Sequence, residues 1–155
     1  MQQFGMLVAA VLLSADTSNG RDWSVAVGKV NGESTIVRCR SSFPHSVVRP
    51  QFATLAAVTW KYSSPNGMPS DDTKSEMDTL EDGIVSAVES ADQGYLAIAV
   101  TGGGVREWEF YTRSQEQFSR LATNAFARAP ADTVSTVFQS DPTWSSYGRF
   151  AACTK

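Results

Sequence analysis

Two carboxylates spaced two residues apart are the best candidates for chemistry in this sequence: Glu107 and Glu109, within "VTGGGVREWEFYT", residues 100–112. Side chains on a strand alternate between faces, so these two acids share one side. Such a pair can hold a metal or divide acid and base work across a glycosidic bond. Tyr111 continues the same face, and an acid-acid-aromatic stripe also suits protein recognition or a plain solvated sheet face. The opposite parity, Arg106, Trp108 and Phe110, reads as core beneath helices. Arg106 is expected at the sheet rim with its stem buried and its guanidinium paired to an acid from residues 71–82.

Little else in the chain is reactive. The one histidine, His45, sits beside Ser46 in a proline-bounded loop and reads as an exposed loop residue. It meets Cys39 as a thiol-imidazole pair only if that loop folds back onto the strand before it. Cys39 and Cys153 are too few for a zinc site, and no C-x-x-C is present. They are read as two unrelated buried thiols, with a disulfide as the alternative in an oxidising compartment. The glycines of "TGGG" do not make a dinucleotide loop, because the third glycine of G-x-G-x-x-G would fall at Glu107. No H-E-x-x-H, EF-hand, G-x-S-x-G or Walker pattern occurs. No catalytic residue, metal ligand or cofactor is therefore assigned, and a non-enzyme is expected.

The elements that must position these residues follow from periodicity. Asp22–Val30 alternates and ends at Asn31-Gly32, a strong two-residue hairpin turn, after which Ser34–Arg40 returns. "SSFPHSVVRP" is a loop, and Phe52–Tyr62 is a third strand ended by the turn formers of "SSPNG". The period then lengthens: Met77, Leu80, Ile84, Val88 and Ala91 line one helix face that starts among Asp71, Asp72 and Thr73. Tyr95–Val100, the glycine turn and the Glu107 strand make a second hairpin. A second helix from about Ser114 presents Phe118, Leu121, Ala122, Ala125 and Phe126 and stops at Pro130. Thr133–Phe138 is a last strand, "DPTWSSYGRF" a short helix or cap, and Gly148–Lys155 a loose tail. The order β-β-β-α-β-β-α-β predicts an α+β fold, a mainly antiparallel sheet with two helices packed on one face. The domain spans residues 22–150, with a tail at 151–155 and an apolar extension at 1–21. Phe4, Leu7, Val8, Val11 and Leu12 suit a packed terminal element; an export signal is the alternative, and the segment is too short to span a bilayer.

Charge narrows the class of partner. A net charge of −3 with no basic stripe argues against direct nucleic-acid binding. Residues 71–82 (DDTKSEMDTLED) alone carry −5, leaving +2 on the rest. This is either a solvated helix face or a docking surface for a basic protein. The expected partner-binding set is Asp71, Asp72, Glu76, Asp78, Glu107, Glu109 and Tyr111.

Three segments, "TGGGVREWEFYT", "LEDGIVSAV" and "DPTWSSY", together make the chain resemble the bacterial family known as domain of unknown function 695 over about residues 22–150. The resemblance implies an α+β fold and supplies no reaction. Family members often precede a domain similar to the protein regulator of ribonuclease E activity B, which implies regulation of an endogenous ribonuclease as one role. By analogy, a short acidic domain without a catalytic constellation is similar to an immunity protein. The function expected is thus a non-catalytic inhibitor or immunity-type protein that neutralises a basic toxin or nuclease, in the cytoplasm, or in the periplasm if the leading segment exports it. A small enzyme built on the Glu107–Glu109 pair is the alternative.

Overall fold

A computed structural model describes residues 11–12 and 22–150. Its strands are β1 (Val11–Leu12), β2 (Trp23–Val30), β3 (Glu33–Arg40), β4 (Thr54–Lys61), β5 (Gly94–Gly102), β6 (Val105–Thr112) and β7 (Val134–Ser140). Its helices are α1 (Asp71–Ser90), α2 (Gln115–Phe126) and the single turn α3 (Ser145–Gly148). The strands form one antiparallel sheet in the order β1-β2-β3-β5-β6-β4-β7. The fold is α+β, as the element order implies. The leading apolar segment contributes β1, which pairs Val11 with Gly28 and Leu12 with Val27; the rest of residues 1–21 lies outside the described residues.

Turn chemistry sets both hairpins. Asn31 (φ 51°) and Gly32 (φ 81°) join β2 to β3, while Gly103 (φ 62°) and Gly104 (φ 78°) join β5 to β6. Left-handed central residues match the right-handed twist of the strands they connect, so the register follows from the turn. The glycines of "TGGG" are therefore backbone residues of a hairpin.

The two long helices start on serine caps. Ser70 Oγ accepts from the Thr73 amide ahead of α1, and Ser114 Oγ accepts from Gln117 ahead of α2. Met77, Leu80, Ile84 and Val88 of α1, with Phe118 and Ala122 of α2, pack onto one sheet face. There they meet Ala56, Val58 and Trp60 of β4 and Trp108 and Phe110 of β6. This first core is the one the alternation of β6 predicts.

The opposite face departs from expectation. Phe43, Val47 and Phe52 from the loop after β3, with Trp144, Tyr147 and Phe150, cover a second core of Val37, Cys39, Leu55, Ala97, Ile98 and Tyr111. The side read as open is thus roofed over much of its area. Gly148–Phe150 is no loose tail either, since Phe150 packs against this core and Arg149 pairs with Glu109. Cys39 is fully buried there and disulfide-bonded, which replaces the reading of two unrelated thiols. The only other cysteine of the sequence, Cys153, lies outside the described residues.

Candidate functional site

β6 carries polar contacts on both of its faces, and each face is bonded to a different part of the chain. On the helix side Arg106 is nearly buried. Its Nε donates to Thr101 Oγ1 at 2.7 Å and its Nη1 to Asp78 of α1 at 2.9 Å. Two residues on, Trp108 Nε1 donates to Glu81 Oε1 at 2.8 Å, and Glu81 also holds Arg38 of β3. The expected ion pair between Arg106 and the acidic segment is therefore present.

On the other face, the segment 141–149 closes over Glu109 and Tyr111. Tyr111 donates to Asp141 at 2.7 Å and accepts the Tyr147 amide at 3.1 Å. Its ring stacks on Trp144 with centroids 4.1 Å apart. Asp141 also accepts from the Ser145 amide and hydroxyl and from the Ser146 amide, capping α3. Trp144 takes a left-handed backbone (φ 57°, ψ 42°), strained for a bulky residue. Its stacking and its Nε1 bond to Phe52 carbonyl at 3.0 Å hold it there.

Glu107 and Glu109 lie side by side on β6 at the edge of this roof. Ser146 Oγ donates to Glu109 at 2.9–3.0 Å, and Arg149 reaches its Oε1 at 2.8 Å. Burial, and after it the neighbouring Glu109 charge, pushes the half-buried Glu107 up to about 7. Glu107 thus keeps a proton near neutrality and donates it to Glu109. Glu109 is also raised by burial, with Arg149 pulling the other way. Burial works against ionisation of Asp141 too, but the donors from Ser146, Ser145 and Tyr111 outweigh it and hold Asp141 below the usual carboxylate range. Burial and the Asp141 carboxylate keep Tyr111 protonated.

Chemically, two neighbouring carboxylates of which one is held up to about 7 can share a proton, an arrangement that general acid-base sites use. Yet the oxygens of Glu109 are occupied by Ser146 and Arg149, which leaves Glu107 as the half-exposed member. Among the described residues no group of three or more His, Cys, Asp or Glu could hold a metal. Grooves of about 380 Å³ and 330 Å³ lie elsewhere, against the C-terminal end of α2, and neither is lined by Glu107 or Glu109.

The expected partner-binding set is divided by these contacts. Asp71, Asp72 and Glu76 are exposed on α1. Asp78 is half-turned inward, shared between Lys74 and Arg106. Glu109 and Tyr111 are buried beneath the segment 141–149 rather than presented on an open sheet face. His45 is exposed, and the disulfide of Cys39 leaves no thiol to pair with it. Reading the sequence alone missed Asp141, Trp144, Ser146 and Arg149, though "DPTWSSY" was a signal for the first three.

A family model matches residues 21–151. The chain belongs to DUF695, a family of unknown function. No curated protein and no solved structure matches it. The three segments that carried the DUF695 resemblance prove to be one interlock. Glu81 of "LEDGIVSAV" holds Trp108 of "TGGGVREWEFYT", and Asp141 of "DPTWSSY" holds Tyr111 of that same strand. These DUF695 residues bond the helix layer and the roof to opposite faces of β6. Among the described residues, no helix is long and apolar enough to cross a membrane.

Proposed function

We propose that this DUF695 chain is a non-catalytic protein-binding domain of the inhibitor or immunity type, which offers the outer face of α1 to a basic partner such as a toxin or nuclease domain. One observation carries the reading: the acids of α1 fall into two sets. Asp78, Glu81 and Glu89 are paired with Arg106, Arg38 and Arg40 and serve the fold. Asp71, Asp72, Glu76 and Asp82 are exposed, with no cation paired to them among the described residues. Uncompensated like charge on a fold this size costs self-repulsion, and a cationic surface would relieve it and be steered toward it. A groove of about 380 Å³, lined by Glu76 and Thr79 of α1 and by Arg128–Pro130, opens beside that face.

The test is capture of partners from the native host by the tagged protein and by a variant carrying Asp71→Lys, Asp72→Lys and Glu76→Lys. A stoichiometric basic partner held by the native protein and lost by the variant supports the reading; equal capture removes this face. Regulation of an endogenous ribonuclease would use the same surface, and the identity of the captured protein separates the two. The proton held by Glu107 near neutrality supports the alternative of a small acid-base enzyme, and the occupied oxygens of Glu109 weigh against it. The disulfide at Cys39 supports an oxidising compartment, hence the periplasmic alternative over the cytoplasm.

A further inference from the structure

We infer that β7 is a homodimerisation edge, along which a second copy of this chain adds its own β7 antiparallel and extends the sheet across a two-fold axis. Among the described residues β7 pairs with β4 alone, so its outer side presents a row of unpaired backbone donors and acceptors. Natural sheets usually blunt such an edge with a lysine, a proline, a bulge or a very short strand. β7 has none of these: seven residues, VSTVFQS, in unbroken register with β4. The other end of the sheet differs, since β1 covers part of β2 and β2 carries Lys29.

The occupant follows from the sequence of the strand itself. Full antiparallel self-pairing of Val134–Ser140 places Val137 opposite Val137 of the second copy, because Val137 is its middle residue. Val137 is 56% exposed, the most exposed large hydrophobic residue among those described. The same register sets Ser135 against Gln139, a polar pair, and Thr136 against Phe138, a β-branched residue against an aromatic one. No charge opposes its own copy anywhere along the strand, so self-pairing meets no repulsion. On the helix side, the second copy's Phe138 would lie beside Thr136, at a groove of about 330 Å³ whose lining is mixed, with Phe126 and Val134 beside Asp132 and Ser135.

Sedimentation of the full chain over roughly a hundredfold range of concentration, where mass action must shift a dimer, tests this directly. The native protein is expected to dimerise. Val137→Lys and Val137→Glu, each on an exposed side chain that a monomer tolerates, are expected to weaken the dimer at least about tenfold by placing like charges on the axis. An equimolar mixture of the two variants is expected to recover it, with circular dichroism and thermal midpoints of the separate variants unchanged. A native protein that stays monomeric throughout, or a Val137→Lys variant that dimerises as well as the native chain, overturns the proposal.

Discussion

Tyr111 and Asp141 are thirty positions apart in sequence and 2.7 Å apart in space, the phenol of one donating to the carboxylate of the other inside the fold. That bond ties the sheet to the segment that covers it. It helps seat Ser146 and Arg149 at Glu109, because both are carried on the turn that Asp141 caps.

Removal of Asp141 should therefore loosen the roof. Asp141→Ala leaves the Tyr111 hydroxyl and two backbone amides without an acceptor, a loss of about 3 kcal/mol in urea unfolding. Its folded pKa is depressed, so the stability it contributes is present above the unfolded carboxylate value and is lost as pH falls through the folded one. The native protein should show this acid-side loss, and Asp141→Asn should lack it.

Glu107 should act with the opposite sign. Its folded pKa, about 7, lies above the unfolded value, so the folded state binds the extra proton between the two. Stability from this group is highest below about pH 4.5 and falls as pH rises through about 7. Glu107→Gln keeps the neutral form at every pH. It should raise the thermal midpoint at pH 8 by roughly 2–4 °C, as about 1 kcal/mol would, and flatten the native decline between pH 5 and 8. An unaltered pH profile in the variant would remove the shared proton from the account.

The acids of α1 should separate by role. Asp78→Lys turns the partner of the nearly buried Arg106 into a like charge and should cost roughly 2 kcal/mol, less than a fully enclosed pair because Asp78 is partly exposed. Asp71→Lys, Asp72→Lys and Glu76→Lys should each stay within about 0.5 kcal/mol, as exposed positions without partners do. Thermal unfolding of the four single variants measures the contrast.

Reduction should destabilise the native protein. Cys39 is disulfide-bonded beneath the roof, and opening such a bridge typically costs about 2–4 kcal/mol. Melting with and without a reductant, alongside an alkylation map that should leave Cys39 unmodified in the unfolded, unreduced chain, checks this.

Local physics made much of the fold legible in the sequence. The strict alternation of Arg106–Tyr111 assigned each side chain of β6 to its face, because a strand offers only two. Asn31-Gly32 and Gly103-Gly104 specified their hairpins, since few residues tolerate positive φ. The stripe from Met77 to Val88 named the buried side of α1 through its 3.6-residue period. Even the ion pair of Arg106 with the acidic segment followed, because a buried guanidinium on a sheet rim needs an acid within reach.

What lies over each face was another matter. Glu109 and Tyr111 read as outward because their parity is polar, and only the return of Trp144–Phe150 across the sheet made that side interior. The disulfide of Cys39, the left-handed backbone of Trp144 and the placing of β4 between β6 and β7 are of the same kind. Propensity and turn chemistry act over a few neighbouring residues, whereas these features join positions dozens apart. They are set by which long-range packing buries both faces of the sheet while leaving each enclosed polar group a partner.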